Sequence, residues 1–565
     1  MGDGAGCGVE AAGEKWRPRR GLVTGGLGVL VAIPLLIALA ALKQPRWYPL
    51  WDQATTEMQL RDVGTRHTPL TGVGGLLGLP DDLQGSHPGP LSFYLMWPVY
   101  RLLGSSSWAM QAAAAWVNVA AVAVILWLVS RRRSLRLLVG TVAALAILMH
   151  AYGVEALTKA WAPHTPILWW MVFLVACWCA LCDDLPILPV AVFAGSFCVQ
   201  THSSYVLPAL GLLLLAFGSA SLVAYQQRHD RGLVCRTAKW SLLAVGVGAA
   251  VWIPPVLQQL ISPRGNLAIL WRQFRDWNEE PMGLWHAFEL VLIHLNPWRL
   301  VTGEISPDNW IVTGSRLPGA LVLLVWAGAA VIAVRLANRT LVRLHVLVAA
   351  ALFLAVVAVS RLGLALYYRM LWLSGITVLL LMATVWTLIL LVRRYLNVKH
   401  RQGIANRLVW GPLVAAVAFT TALAASAAGS DYDRHDSRVL DELVPRVVST
   451  LERDYPHLDE YLLVWSELTT GALGRGLMNE LVRRGFDVGA VEYFRAEVRP
   501  HRAVSPGEVS AVIVVVGGSE IATWRDKRAR EIARVDRAGS QQAEASDKEA
   551  AIAVFVAAPA VLEDG

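Results

Sequence analysis

The sequence has little charge for its length. Of its 565 residues, 16% are Asp, Glu, Lys or Arg, whereas 55% are hydrophobic. A chain of this length with so little charge and such long apolar runs cannot form one water-soluble core. The composition therefore predicts an α-helical protein that spans a membrane many times.

The charge that is present does not indicate a nucleic-acid-binding protein. The formal net charge is +8, but the Arg and Lys residues lie largely in short loops between apolar runs. Basic residues in such loops orient a chain in a membrane. We therefore expect membrane lipids, and no nucleic acid, as partners.

Eleven apolar runs are candidate spans. Most approach the about 17 to 25 residues that a helix needs to cross the hydrocarbon layer, and two are slightly short. In chain order they are Leu22–Leu42, Trp108–Val129, Leu135–His150, Thr165–Leu181, Ile187–Thr201, Tyr205–Tyr225, Trp240–Leu260, Leu317–Val334, Leu344–Val359, Tyr368–Val392 and Leu408–Ala428.

Basic residues recur in alternate connections between these runs, which predicts the orientation of the chain. Residues 1–21 are expected in the cytoplasm and residues 22–428 in a membrane domain with outer loops 43–107 and 262–316. Residues 429–565 are expected outside, so the protein is a multi-pass protein of the plasma membrane. The first apolar run is too long for a cleaved signal and no small-residue cleavage site follows it.

The last region predicts a small α/β domain, because charged and alternating patterns replace the apolar runs. Residues 461–465, 511–516 and 551–556 read as strands, and residues 474–484 and 525–537 as helices. Residues 538–550 read as a flexible insertion. None of the six cysteines lies in a region predicted to be outside the cell, so this domain has no disulfide to rely on. The cluster Cys177, Cys179 and Cys182 lies on an apolar run without histidine partners, which favours core packing over a metal site.

The loop after the first span carries the most polar chemistry in the sequence. Asp52 lies among Trp47, Tyr48 and Trp51, whose aromatic side chains would desolvate it, and a desolvated carboxylate can act as a general base. Its alternative role is as a loop carboxylate or an N-cap for the helix over 54–61.

His87 precedes two prolines that fix its backbone, and the alternative there is a rigid turn. The apolar segment over 91–103 is too short to cross, and we expect it to lie at the interface and cover the site.

Further polar side chains lie at the predicted outer ends of later spans. Glu155 and Lys159 form an i, i+4 pair near His164, which could be a solvated helix face or part of a site. His202 lies in a polar turn that could equally be an interfacial cap. Arg369 could interact with lipid headgroups or bind a phosphate.

These segments together resemble GT-C class glycosyltransferases, the superfamily that includes protein O-mannosyltransferases and aminoarabinose transferases. The similar stretches are WDQATTEMQLRDV, SHPGPLSFYLMWPVYRLLG, AYGVEALTKAWAPHTPILWW, VQTHSSYVLPAL and YYRMLWL, which cover roughly residues 22–392. The sequence departs from the family pattern at Gln53, where an acidic residue is frequent, and at Gly89, where a second proline is usual.

The resemblance implies transfer of a sugar from a polyprenyl-phosphate donor to a glycan, lipid or protein acceptor on the outer face. It implies Asp52 and Glu155 as catalytic residues, with Asp52 the general base of an inverting reaction. The substrate-binding residues would be His87, Lys159, His164, His202 and Arg369, with positive charge from Arg369, Lys159 or His87 stabilising the leaving phosphate. No cofactor is certain; a divalent cation held by Asp52 and Glu155 is compatible with these residues but not required by them.

Two other functions remain open from the sequence. A transporter or flippase could use the same outer cavity, although it predicts charges midway within spans and two similar halves. A non-catalytic envelope scaffold could bind through the last domain. The excess of Arg over Lys, together with frequent Ala, Val and Gly, suggests a GC-rich bacterial genome and a cell-envelope role.

Overall fold

A computed structural model describes residues 17–75, 84–263, 265–275, 280–303, 305, 310–395, 402–430, 434–465, 468–527, 529–536 and 551–562. Two sequence predictions, most of the cytoplasmic segment 1–21 and the insertion 538–550, lie outside the described residues. The described chain forms a helical bundle followed by a small domain built around a β-sheet.

The bundle consists of helices whose apolar faces pack against one another. In chain order they are α1 (Arg17–Ala41), α2 (Trp51–Asp62), α3 (Leu91–Leu102), α4 (Ser107–Ser130), α5 (Leu135–Thr158), α6 (Ile167–Leu181), α7 (Leu188–Thr201), α8 (Val206–Gln226), α9 (Arg231–Ile261), α10 (Asn266–Arg275), α11 (Gly283–His294), α12 (Trp298–Thr302), α13 (Leu317–Arg335), α14 (Arg339–Val359), α15 (Leu373–Tyr395) and α16 (Gln402–Ala428).

The predicted spans correspond to helices in this bundle. Among the described residues, nine helices are long and apolar enough to cross a membrane, and two shorter apolar helices cover 167–181 and 185–201. All fifteen residues of α6 are buried, which explains why its sequence is apolar all round. The protein is therefore a multi-pass membrane protein, as the composition predicts.

Some helices extend beyond the apolar run that predicts them. Helix α9 begins at residue 231 rather than 240, because Asp230 accepts a hydrogen bond from the Leu233 amide at 3.0 Å and caps it. Asn338 caps α14 in the same way, with its side chain 3.1 Å from the Leu341 amide. Hydropathy identifies the part of a helix that crosses lipid, whereas a cap decides where the helix begins.

The tail forms a five-stranded mixed sheet with helices. Its elements are α17 (Arg434–Asp454), β1 (Glu460–Trp465), α18 (Leu468–Arg483), β2 (Asp487–Gly489), α19 (Arg495–Val498), β3 (Ala511–Gly517), α20 (Glu520–Asp526), β4 (Arg530–Asp536) and β5 (Ala551–Ala557). The strand order is β2-β1-β3-β5-β4, with β1 parallel to β2 and β3 and antiparallel pairing on the other side. Apolar clusters cover both faces of the sheet, as predicted for a small α/β domain.

The predicted charged helix over 525–537 is wrong. Helix α20 ends at Asp526, and residues 530–536 form the edge strand β4. Ala533 and Val535 are buried while Arg530 and Asp536 are exposed, so the segment carries the alternation of a half-buried strand. Charged side chains are common on edge strands because they discourage pairing with other chains.

The sheet domain packs directly onto the loop that follows α1. Arg502 makes a bidentate ion pair with Asp62, at 2.7 Å to each oxygen, and Arg46 pairs with Glu480 at 2.6 Å. At Gly74 an added Cβ would lie 2.3 Å from the Ala496 carbonyl oxygen, so these two backbone segments approach too closely for a side chain there. The tail therefore lies at the end of the bundle that carries Asp52.

Candidate active site

A large cavity lies where the ends of several helices meet the sheet domain. Its volume is about 1740 Å³, which exceeds the roughly 300–1000 Å³ of a pocket for one small ligand. All seven residues that the sequence nominates line it, namely Asp52, His87, Glu155, Lys159, His164, His202 and Arg369. The predicted convergence of these side chains is therefore observed, and their chemical roles stay predictions.

Asp52 lies in the first turn of α2 and its side chain points to another part of the bundle. The Trp161 indole nitrogen donates a hydrogen bond to Asp52 Oδ2 at 2.9 Å. The alternative role as an N-cap is wrong, because Leu50 occupies that position without a side-chain cap and Asp52 is already inside the helix. Trp161 was not singled out from the sequence, since nothing local links it to a residue 109 positions earlier.

The surroundings of Asp52 favour its neutral form. Burial raises the pKa of Asp52 above its usual value, the hydrogen bond from Trp161 and the charge of Arg475 lower it, and the charge of Glu497 raises it further. A carboxylate with a raised pKa is a stronger base once it is ionised. Trp51, which precedes it, has a φ of 47°, a strained conformation for a bulky residue that tends to occur at functional sites.

Glu155 and Lys159 lie at the end of α5, where the helix is interrupted. Gly153 has φ 75° and ψ 168°, a conformation that glycine adopts without penalty, so the last turn is offset from the rest of the helix. Lys159 Nζ lies 2.8 Å from Glu155 Oε1, as the i, i+4 spacing predicts. Both side chains line the cavity, and Glu155 is the more exposed of the two.

Burial lowers the pKa of all three nominated histidines and so favours their neutral forms. Burial lowers the pKa of His87 to about 4 and that of His164 to about 3, where Lys159 lowers it further. Burial, His87 and Arg369 lower the pKa of His202 well below its usual value. Burial disfavours a positive charge on His87, and its predicted role in stabilising the phosphate stays a prediction. Lys159, Arg361 and Arg369 also line the cavity.

The loop around His87 is held by close backbone contacts. The amide of His87 donates to the Val73 carbonyl oxygen at 2.9 Å, and the Gly89 amide donates to the Gln200 carbonyl oxygen at 3.1 Å. The rings of His87 and His202 lie 4.7 Å apart. An added Cβ at Gly89 would lie 2.2 Å from the Gln200 side chain, which would have to shift.

Aromatic side chains and residues of the sheet domain form another part of the cavity wall. Trp161 lies 5.3 Å from Tyr368 and 6.2 Å from Trp310, measured between ring centroids. The sheet domain contributes Trp465, Gly471, Arg475, Phe494 and Glu497. Sequence analysis missed these residues of the sheet domain, because neither periodicity nor local motifs indicate which surface of a domain faces a cavity.

Helix α3 does not cover the cavity as predicted. None of its described residues is part of the cavity wall. Its buried side chains Phe93, Met96 and Tyr100 pack against the bundle, and the Tyr100 hydroxyl donates to Glu57 Oε1 at 3.1 Å. The sheet domain covers the cavity instead.

The residues present give no set of three protein ligands for a metal. Within the described ranges, no group of three or more His, Cys, Asp or Glu side chains could hold a metal ion. The two acidic side chains that the sequence nominates are engaged elsewhere, Asp52 with Trp161 and Glu155 with Lys159. The five described cysteines, including Cys177, Cys179 and Cys182, carry free thiols.

Comparisons with known proteins were informative only at the level of structure. No protein-family model matches the chain, and no curated protein sequence matches it. The crystal structure of ArnT from Cupriavidus metallidurans bound to undecaprenyl phosphate matches with a TM-score of 0.56 and 14% identity, over 94% of this chain and 98% of that one. ArnT in the apo state matches with a TM-score of 0.50 and 14% identity, over 96% and 99% of the chains. The oligosaccharyltransferase from Archaeoglobus fulgidus matches with a TM-score of 0.44 and 12% identity, over 86% and 67%.

ArnT is an aminoarabinose transferase of the GT-C class. The match extends over nearly the whole of both chains, so it includes the helical bundle and the sheet domain together. The chain therefore has an ArnT-like fold.

Proposed function

We propose that the protein is a membrane glycosyltransferase that moves a sugar from a polyprenyl-phosphate donor to an acceptor on the outer face. The observation that carries this proposal is the single cavity that holds a desolvated carboxylate, Asp52, together with Lys159, Arg361 and Arg369. A base for the acceptor and cations for a phosphate are the two requirements of this reaction. The fold supports the proposal, because ArnT, which has a similar fold, was solved with undecaprenyl phosphate bound.

The apolar part of the cavity suits the lipid portion of such a donor. Its wall includes Val199 from α7, Leu210 and Leu213 from α8, and Trp252 from α9. These side chains lie on helices that are long or apolar enough to lie in a bilayer. A polyprenyl chain between them would keep its phosphate near the basic side chains and its sugar in the polar part of the cavity.

In the proposed reaction, Asp52 removes the proton of the acceptor hydroxyl. The acceptor oxygen forms a bond to the anomeric carbon as the bond from that carbon to the phosphate oxygen breaks. The electron pair of the broken bond leaves with the polyprenyl phosphate, whose negative charge Arg369, Arg361 and Lys159 stabilise. Attack from the side opposite the leaving group inverts the configuration of the sugar.

The Trp161 hydrogen bond has a defined place in this reaction. It holds Asp52 Oδ2, so that Oδ1 is the atom that takes the proton. The neutral histidines contribute hydrogen bonds and shape rather than charge. Glu155 keeps Lys159 in position through their ion pair, and this is the role we assign to it.

Substitution of Asp52 tests the proposal. In cells that lack the protein, we expect its polyprenyl-phosphate sugar to accumulate, as measured by mass spectrometry of membrane lipids. The wild-type protein should remove this lipid, and Asp52→Asn should not, because loss of a general base lowers turnover by roughly 10²- to 10⁴-fold. The purified Asp52→Asn protein should still bind undecaprenyl phosphate.

The matched control is Asp536→Asn, on the exposed edge strand β4, where the side chain is 67% exposed. It should restore the lipid profile as the wild type does. Full activity of Asp52→Asn would contradict the enzymatic proposal and favour a scaffold or transporter.

A further inference from the structure

Three aromatic side chains meet in the part of the cavity that the sheet domain covers. They are Trp51 from α2, Trp465 from β1 and Phe494, and all three line the cavity. The Arg475 guanidinium lies 5.5 Å from the Trp51 ring and 5.0 Å from each of the other two rings. The ring centroids of Trp465 and Phe494 are 4.6 Å apart. We call Trp51, Trp465 and Phe494 the aromatic group.

The aromatic group is held in a fixed arrangement by the helix beneath it. An added Cβ at Gly474 would lie 2.7 Å from the Trp465 ring, and one at Gly471 would lie 3.1 Å from it. The two glycines therefore let the indole lie flat against α18. Arg475 Nη1 donates to the Gly471 carbonyl oxygen at 3.1 Å, which fixes the guanidinium among the rings.

The charges beside the aromatic group are already paired. Arg475 Nε lies 2.7 Å from Glu497 Oε2, and both side chains are less than 10% exposed. In contrast, Gln53 is 6% exposed, lines the same cavity, and its Oε1 has no hydrogen-bond partner among the described residues. A buried amide oxygen without a partner costs free energy, and a ligand that donates a hydrogen bond would remove that cost.

We infer that the aromatic group and Gln53 form the acceptor subsite, and that the acceptor presents a neutral sugar ring there. This inference rests on the proposed function. The C–H bonds on the face of a sugar ring are attracted to the negative face of an aromatic ring, and its hydroxyl groups can donate to Gln53 Oε1. The subsite adjoins Asp52, which lies between Trp51 and Gln53 in the chain.

The charge distribution argues against an anionic acceptor. The basic side chains assigned to the phosphate, Lys159, Arg361 and Arg369, belong to the helical bundle rather than to the aromatic group. Beside the aromatic group, the positive charge of Arg475 is balanced by Glu497, and Asp52 would repel an anion. A neutral sugar, by contrast, meets rings, one amide and the base.

Binding of soluble sugars to the full-length protein in nanodiscs tests the inference. The probes are the neutral trisaccharides mannotriose, maltotriose and galactotriose, the acidic trigalacturonic acid, and a Ser/Thr-rich peptide, measured by saturation-transfer NMR. We expect at least one neutral trisaccharide to bind and Trp465→Ala to weaken it roughly tenfold, as the loss of one stacked ring predicts. The control Trp298→Ala removes an indole that is 65% exposed and outside the cavity wall, and should change nothing.

Gln53→Leu is the second variant, in case Trp465→Ala does not fold. It keeps the size of the side chain and removes the unpartnered oxygen, so sugar binding should weaken several-fold while thermal stability is kept or increased. The inference would be overturned if no neutral trisaccharide bound, or if both variants bound the trisaccharide as tightly as the wild type. It would also be overturned if the peptide or the acidic sugar bound and the neutral sugars did not.

The outcome is separable from that of the proposed function. Undecaprenyl phosphate binding is measured on the same samples, and Trp465→Ala should leave it unchanged. If trisaccharides bind at Trp465 but Asp52→Asn remains active, the proposed reaction fails and the sugar site stands. If Asp52→Asn is inactive and no trisaccharide binds, the reaction stands and the acceptor subsite fails.

Discussion

At the scale of single residues, Asp52 shows how a membrane-edge carboxylate can be held for chemistry. Its pKa is raised chiefly by burial, and the neighbouring pair Arg475 and Glu497 acts on it in opposite directions. Sequence analysis found Asp52 because aromatic residues surround it locally. It could not find Trp161 or Glu497, since their effect on Asp52 depends on contacts between distant parts of the chain.

Glu497→Gln should shift the pH dependence of turnover. The negative charge of Glu497 raises the pKa of Asp52, so its removal lowers that pKa and Asp52 remains ionised at more acidic pH. We expect the acidic limb of the kcat/KM profile to move to lower pH. Glu492→Gln, whose side chain is 57% exposed, serves as the control. A shift to higher pH would contradict the assignment of Asp52 as the base.

Asp52→Asn should also make the protein more stable at pH 7. Because the folded-state pKa of Asp52 is raised, the stability that its protonated form contributes is present at low pH and is lost as pH rises through the folded-state pKa. At pH 7 the ionised side chain therefore destabilises the folded protein. Asn removes the charge and can still accept from Trp161. Thermal melting at pH 7 should show a higher midpoint for the variant, and a lower midpoint would count against a desolvated carboxylate.

At the scale of elements, the contact between α2 and α18 joins the bundle to the sheet domain. Glu57 is fully buried and accepts hydrogen bonds from Arg483, Asn479 at 2.9 Å and Ser107 at 3.0 Å. Sequence analysis predicted α18 from its amphipathic pattern. That pattern does not reveal that its polar residues Asn479 and Arg483 would face a buried carboxylate on another element.

Arg483→Ala should destabilise this junction strongly. The substitution removes the nearer of the two arginines that pair with the buried Glu57, while Arg61 remains at 3.7 Å. Loss of a buried partner typically costs about 3–5 kcal/mol, and Arg61 should offset part of that cost. Thermal melting in nanodiscs should show a large decrease, and the double variant with Glu57→Gln should recover part of it. The control Arg453→Ala, at a side chain that is 68% exposed, should leave the melting midpoint nearly unchanged. Equal effects of the two arginine variants would show that the buried pair contributes little.

The edge strand β4 shows where element prediction fails. Its sequence REIARVD contains four charged residues, and charge in that density favours an exposed helix when the segment is considered alone. Pairing with β5 makes it a strand, because backbone hydrogen bonds to a buried neighbour outweigh a weak local preference.

At the scale of the whole molecule, the proposed function requires the cavity and the sheet domain to face the outside. The basic residues of alternate loops predict this orientation, and the structure adds that the sheet domain and Asp52 lie at the same end of the bundle. The two parts must therefore lie on the same side of the membrane.

Labelling of cysteines checks the orientation. Cys235 is exposed at the start of α9, in a loop predicted to be cytoplasmic. In a Cys7→Ser background, we expect Asp536→Cys to react with a membrane-impermeant maleimide in intact cells, and Cys235 to react only after permeabilisation. The reverse pattern would place the cavity on the cytoplasmic side and contradict the proposed outer-face reaction.

The sequence by itself indicated the positions of the long apolar helices and nominated seven side chains that line one cavity. It could do so because bilayer thickness sets the length of each span. Ionisable residues near lipid cost free energy, so their presence there usually indicates a function. The tertiary structure alone decided that Trp161 holds Asp52, that burial lowers the pKa of the histidines, and that Arg475, Trp465 and Phe494 line the cavity. These are properties of contacts between residues far apart in the chain, and local periodicity contains no information about which surfaces meet.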